Sequence, residues 1–300
     1  ILAKSPEELA TTDITDYALE ALRKSKIENI WLVGRRGPLQ AAFTPVEVRE
    51  FLELNDADVM LEGGSLKLDE VSQKILETEA SKDTKKNIEI LTQISLKKLS
   101  RKNKRVHFLF LASPLEISGD GKVEKISMVL NQLVKQDDGS LRPQATENKI
   151  EEDAGLIFRS IGYLGKPLAD LPFDQKSGTI PNESGQVKDP ENGNSLRNRE
   201  YVAGWIKRGP SGVIGTNKQD AVETVHRMLE TFLAEKMEAG QNVVLPDIVS
   251  LLESRKVDYV SFADWKQLDA HETEAGEAQG RPRLKLTSNT EMLKIIHQKR

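Results

Sequence analysis

The spacing of apolar positions divides the chain into short helices and short, mostly buried strands. Behind the capping types Thr11, Thr12 and Asp13, apolar side chains at Ile14, Tyr17, Ala18, Leu19 and Leu22 recur at helical intervals, which predicts a helix over 14–26. Ile30-Trp31-Leu32-Val33 is a continuous apolar run that ends in Gly34, two arginines and Gly37-Pro38. It reads as a buried strand over 29–34 followed by a turn. Pro45 opens a second helix carrying Val46, Val48, Phe51, Leu52 and Leu54. Positions 56–80 fit no period well, apart from a helical stretch over 71–75. Ile88, Ile90, Leu91, Ile94, Leu96 and Leu99 place a helix over 85–99, and 106–111 reads as a strand. Helix, buried strand, turn, helix is the order of a parallel α/β sheet.

Farther along, 123–134 alternates as a strand, and Asp137-Asp138-Gly139 closes it as a hairpin turn. The apolar run 155–163 predicts another strand. Composition then shifts to Pro, Gly, Asn and Asp over 165–199, and 189–199 reads as a surface loop or insertion. A strand over 201–204 leads through a glycine-rich turn into a long helix over about 212–237. Beyond it the pattern predicts a helix over 245–253, a segment around Trp265, and a mobile loop over the polar stretch 271–280. No internal repeat is visible.

Composition narrows the function classes. Three hundred residues suggest roughly two domains at ~150 residues each. With 38% apolar and 30% charged residues the chain reads as soluble and globular, and no apolar run approaches the ~18–20 residues of a membrane span. A formal charge of −4 argues against a dedicated nucleic-acid binder. The absence of cysteine excludes disulfides, zinc ribbons, cysteine nucleophiles and redox-active Cys-x-x-Cys pairs within it. His107, His226, His271 and His297 show no metal-ligand spacing, and there is no Gly-x-Ser-x-Gly elbow, P-loop or G-x-G-x-x-G fingerprint. The chain opens on Ile1, and Leu2 to Pro6 read as the end of a helix with no start, so the expectation is a piece of a longer protein.

Three stretches carry candidate chemistry. In 204–216 a strand reaches a turn with glycines at 204, 209, 212 and 215, a Trp at 205 and a Pro at 210, and a helix follows. Glycines let backbone approach a ligand, and the free N–H groups of a helix start favour an anion or the electron-rich edge of a reduced flavin ring. The competing reading is an ordinary strand-to-helix turn. At the tip of the 29–34 strand, Arg35 and Arg36 offer planar forks suited to the 2′-phosphate of NADP, where an acid would select NAD. The competing reading is a solvated arginine pair. Lys97, Lys98, Arg101, Lys102, Lys104 and Arg105 form a basic run without an intervening acid. It is either a solvated helix end or a docking patch for an acidic protein, and it has no interleaved aromatic for nucleic acid.

These stretches resemble the adrenodoxin reductase family, the mitochondrial NADPH–ferredoxin reductases. The likeness is carried by 30–44, by Ser160-Ile161-Gly162-Tyr163, by Leu171-Pro172-Phe173-Asp174 with 178–182, and by 204–215. Residues 261–270 and 281–286 extend it, and 56–155 is only weakly similar. The resemblance implies an α/β protein with two Rossmann-like three-layer dinucleotide-binding domains, for FAD and NADP, of the glutathione-reductase-like flavoprotein type. It implies that the N-terminal FAD segment is missing here, with an NADPH-binding domain over 1–155 and the C-terminal part of the FAD domain over 156–300. Carried over by position, Arg35 and Arg36 bind the 2′-phosphate and Glu47 makes a further NADP contact. Trp205, Gly212, Val213 and Ile214 contact FAD, with Gly212 also near the nicotinamide, and Lys97, Lys98 and Arg101 are candidates for partner docking. Related disulfide reductases often carry Asp where Trp205 stands and relay electrons through a Cys pair, so Trp205 and the lack of Cys both favour the ferredoxin-reductase branch. The implied reaction passes electrons from NADPH through FAD to an acidic [2Fe-2S] ferredoxin, with no catalytic side chain and no metal site. The implied protein is a mitochondrial monomer, at most peripherally associated with membrane. The alternative is an inactive fragment or partner-binding remnant without bound cofactor.

Overall fold

A computed structural model describes residues 1–64, 66, 68–212, 214–239 and 247–299. The chain divides into one unit made of Ile1–Ile157 with Asp258–Arg300 and a second made of Phe158–Val257. The last segment, Asp258–Arg300, rejoins the first unit.

In the first unit, helices α1 (Pro6–Leu9) and α2 (Asp16–Arg23) precede strand β1 (Asn29–Gly34). Helix α3 (Pro45–Arg49) follows; Thr44 caps it, and Glu47 answers in a reciprocal capping box. Strand β2 (Ala57–Leu61), helices α4 (Glu70–Thr78) and α5 (Lys82–Leu96), and strand β3 (Lys104–Phe110) complete a three-stranded parallel sheet in the order β1-β3-β2. Alternation along β3 sends Val106 and Phe108 to one face. There they join Val59, Val48 of α3 and Ile90, Leu91 and Ile94 of α5 in the main core. Phe43 and Phe51 set their ring edges against Phe108 at 6.3 and 5.0 Å. Each fully buried aliphatic side chain of this core is worth about 1.5–3 kcal/mol. The next residue of the alternation, His107, is buried and stacks on Trp31 at 4.2 Å.

The chain then forms an antiparallel meander of β4 (Ala112–Ser118), β5 (Lys125–Lys135) and β6 (Leu141–Asp153). The expected hairpin turn joins the last two, with Gly139 at φ 81° and Asp138 accepting the Ser140 N–H at 2.9 Å. Ala112, Met128 and Leu109 form a second small core with Trp31, Ile126, Leu130 and Ile150 at its margin.

The second unit holds a small antiparallel sheet of β7 (Asn182–Glu183), β8 (Gln186–Asp189) and β9 (Ser195–Tyr201), with helices α6 (Trp205–Arg208), α7 (Ile214–Ala239) and α8 (Ile248–Ser254). Ile180, Val187 and Val202 are its buried centre. On its return, the chain adds α9 (Phe262–Glu277) and α10 (Asn289–Lys299) to the first unit. The return is tied down by Arg281, which pairs with Asp16 and donates to Thr12 O, and by Lys285, which pairs with Asp13.

Several expectations are corrected. The run 155–163 is not a strand: no strand among the described residues pairs with it, and Leu156, Phe158, Ile161 and Tyr163 are exposed. Hydrophobicity alone cannot make a strand without a hydrogen-bonding neighbour. The expected loop 189–199 is largely the β8–β9 hairpin, whose Arg197 pairs across it with Asp189 and along its own strand with Glu200. The strand expected over 201–204 lies earlier and ends at Tyr201. The stretch 271–280 is mostly helix, because α9 continues to Glu277. Its polar residues are engaged: buried Glu272 receives Arg283 and the Leu286 N–H. Of the helix expected over 245–253, residues 245 and 246 lie outside the described residues, and α8 begins at Ile248. Among the described residues no helix is long and apolar enough to cross a membrane.

Candidate functional site

Strand β1 brings Arg35 and Arg36 to the carboxyl end of the parallel sheet, the end at which such sheets take ligands. Both side chains are exposed, and neither makes an ion pair among the described residues. Their backbone, in contrast, is fixed. The Arg36 carbonyl accepts the Leu111 N–H at 3.1 Å, and the Arg35 carbonyl accepts the Asn131 side-chain amide at 2.9 Å. That amide also donates to Ser113 Oγ at 2.8 Å, and the Asn131 backbone N–H donates to Leu111 O at 2.7 Å. Asn131 is buried and sits where β5 slips register against β6. A bulge of this kind re-aims a side chain out of the ladder. Two free guanidinium groups on a fixed backbone, with no carboxylate competing for them, fit a phosphate group.

Glu47 has a local task. Its carboxylate accepts the Thr44 N–H at 2.7 Å and the Thr44 hydroxyl at 2.9 Å. The Thr44 backbone N–H, then its hydroxyl, hold the Glu47 carboxyl below its ordinary range.

In the second unit the glycine-rich turn follows β9. Gly204 has φ 73° and ψ −150°, a conformation that only glycine adopts readily, and a Cβ there would meet nothing within 4 Å. The space beside it is open. Gly212, at φ 81°, is closed in instead, since a Cβ would come within 2.5 Å of Thr216 Oγ1. Between them α6 makes one turn and presents Trp205, half exposed, with its ring 5.7 Å from that of Tyr163. Val213 lies outside the described residues, and Ile214 opens the 26-residue helix α7. Open backbone at Gly204, an accessible aromatic pair and the start of a long helix fit a flat, electron-accepting ring with a phosphate-bearing tail.

The turn is fastened from behind. Lys207 of α6 is buried, with its ammonium 2.9 Å from Asp220 Oδ1, 2.6 Å from Glu223 Oε2 and 3.1 Å from Thr224 Oγ1 on α7. Asp220 Oδ2 accepts the Gly204 N–H. The Thr224 hydroxyl donates to Val202 O at 3.0 Å, and the Asn182 amide donates to Lys207 O at 2.9 Å. Burial opposes both charges. Glu223 and Asp220 nevertheless hold Lys207 above its ordinary value, and Lys207 with the Gly204 N–H holds Asp220 below its own.

The basic run is split between two uses. Lys97 donates to Leu52 O at 2.9 Å, Lys102 to Leu54 O at 3.2 Å, and Lys104 to Leu2 O and Lys4 O at 2.8 Å each. These three tie down neighbouring carbonyls. Lys98, Arg101 and Arg105 are exposed. Sequence reasoning missed Asn131, Lys207 and Asp220 altogether. Each acts on a residue distant in sequence or across a turn, and none belongs to a recognisable spacing.

No family model matches the chain. It is 43% identical over 301 residues to the NADPH-ferredoxin reductase FprA of Mycobacterium leprae (strain TN), covering 99% of this chain and 63% of that protein. It is 35% identical over 308 residues to the mitochondrial NADPH:adrenodoxin oxidoreductase of Homo sapiens, covering 99% of this chain and 60% of that protein. Among solved structures, Mycobacterium tuberculosis FprA in complex with NADPH superposes with a TM-score of 0.86 at 41% identity, over 99% of this chain and 64% of that one. The chain thus spans less than two thirds of the length of these relatives, and its α/β fold is theirs over that span.

Proposed function

We propose that this chain, a homologue of the NADPH-ferredoxin and NADPH:adrenodoxin reductases, carries nucleotide-binding machinery of an enzyme that moves electrons from NADPH through FAD to a [2Fe-2S] ferredoxin. The observation that carries the reading is the pair Arg35 and Arg36, free of partners, on a fixed backbone at the carboxyl end of the parallel sheet. NADPH then belongs to the unit Ile1–Ile157, with the two arginines on the 2′-phosphate and Glu47 a further contact through the oxygens that cap α3. FAD belongs to the unit Phe158–Val257, against Trp205, Gly212, Val213 and Ile214, with Gly212 also near the nicotinamide. Bound flavin supplies the chemistry, accepting a hydride and releasing electrons singly.

The chain's own residues bind and orient. The arginine forks select the phosphorylated ribose, the open glycine turn lets backbone approach the ring, and the start of α7 favours negative charge beside it. No side-chain acid or base is needed for the hydride step. The electron acceptor in this reading is acidic and docks at Lys98 and Arg101, with Lys97 chiefly a structural tie. The enzyme acts as a monomer. Its relatives include bacterial and mitochondrial proteins, and mycobacterial FprA, at 43%, is more similar than the human mitochondrial enzyme, at 35%, so the mitochondrial setting is one of two.

Calorimetric titration of the chain with 2′,5′-ADP and with 5′-AMP tests the phosphate assignment. The chain should bind 2′,5′-ADP the more tightly. Arg35→Glu should weaken that binding about tenfold or more and leave 5′-AMP unchanged, as expected for loss of a charge-assisted hydrogen bond. Equal loss for both ligands would contradict the assignment.

A further inference from the structure

Lys207 and Asp220 form a charge pair that the hydride chemistry does not use. Both side chains are 6% exposed, Lys207 lying within the glycine-rich turn on α6 and Asp220 on the helix that follows it, α7. An ion pair taken out of water is retained at a desolvation cost, and in some proteins such buried polar groups serve to specify one conformation. Here the geometry it fixes can be named. Asp220 uses one carboxylate oxygen on the Lys207 ammonium and the other on the Gly204 N–H. Gly204 is the residue in the glycine-only conformation, and its carbonyl accepts the Lys207 and Arg208 N–H groups at 3.1 and 3.3 Å to start α6. One carboxylate therefore holds the entry to the turn directly and its far side through the lysine. Glu223 is the other charge facing the ammonium, Arg208 Nε lies 3.9 Å from Asp220 Oδ2, and Thr224 and Asn182 add neutral hydrogen bonds.

We propose that the Lys207–Asp220 pair is a clamp that sets the shape of the turn from Gly204 to Gly209 and so places Trp205 and the start of α7 for the flavin. Both are positioning residues, acting through the backbone of the turn. The part concerning flavin rests on the reading that this turn takes FAD. The clamp itself rests only on the geometry above.

The test uses the 300-residue chain with Asp220→Asn, Asp220→Leu and the double substitution Lys207→Met with Asp220→Leu. The double variant removes both charges of the pair and leaves Arg208 its bonds to Ser211 and Asn217, which guards against simple unfolding. Two quantities are read on each: hydrogen exchange at the Gly204, Lys207, Arg208 and Gly209 amides, and FAD affinity from quenching of the flavin fluorescence. Thermal unfolding serves as the control for global stability. The clamp predicts exchange faster by about tenfold or more at those four amides in both Leu-containing variants, with an unfolding temperature close to the parent's in the double variant and a lower one in Asp220→Leu, which leaves the Lys207 ammonium with Glu223 as its remaining carboxylate. Asp220→Asn, which keeps an acceptor for the Gly204 N–H, should fall between. FAD affinity should drop by about tenfold in step with exchange. Unchanged exchange at the turn in the double variant would overturn the clamp. Loosened exchange with unchanged FAD affinity would overturn its role toward flavin. A parent chain that binds no FAD would overturn the flavin reading of the turn, and the exchange result would still decide the clamp.

Discussion

Asp58 sits one residue into β2 with its carboxylate buried, where the strand would otherwise read as continuous apolar sequence. Burial alone would raise its carboxyl. The Ser100 and Lys102 N–H groups, both at 3.0 Å, and the Ser100 hydroxyl at 2.8 Å outweigh that and bring it from 3.8 to about 2. A carboxyl whose folded value is depressed stabilises the fold above its unfolded value, and that contribution is lost as pH falls through the folded one. The window is therefore about pH 4 to about pH 2, and the contribution at neutral pH is about 2 kcal/mol. Asp58→Asn should lower the urea midpoint near neutral pH, and its gap to the parent should shrink as pH approaches about 2. A gap independent of pH would show that the charge contributes nothing. Other residues could be picked out without a structure. Arg35, Arg36 and Trp205 stood out because the residues beside them in sequence mark a strand tip and a glycine-rich turn. Asn131 did not, since its amide reaches the Arg35 carbonyl across 96 positions and nothing local marks it.

At the scale of elements, β3 and α5 were readable because one period dominates each and their apolar faces are buried. Strand β1 was readable as a continuous apolar run but is not the buried strand expected, since it ends the described sheet with Leu32 and Val33 exposed. Strand β2 was hidden by Asp58, and β6 by its polarity: it pairs along β5 but most of its side chains are exposed. The opposite error fell on 155–163, where a strong apolar pattern lacks a pairing partner among the described residues. The loop after α5 shows how one stretch serves two ends. Asp58 straps it from within through Ser100 and Lys102, while Lys98 and Arg101 remain exposed, the latter at φ 57°. If it docks an acidic ferredoxin, reversing both charges (Lys98→Glu with Arg101→Glu) should slow ferredoxin reduction several-fold at low salt. The effect should fade as salt rises, and reduction of a small dye should be unaffected. Equal slowing with the dye would place the effect on the nucleotide sites instead.

At the scale of the whole molecule, the two units divide the proposed labour. The parallel sheet of the first carries two exposed arginines, Arg35 and Arg36, at its carboxyl end. The second offers a glycine turn opening onto a long helix. These 300 residues contain no cysteine and so offer no thiol relay of their own, which agrees with the proposed division. The central claim is that NADPH, and not NADH, reduces a flavin held by this protein. Stopped-flow absorbance of the protein loaded with FAD, mixed anaerobically with each nucleotide, measures it most directly. Rapid bleaching of the visible flavin band by NADPH, with NADH slower by about tenfold or more and the preference lost in Arg35→Glu, is the predicted result. Equal bleaching by both nucleotides, or by neither, would contradict the account.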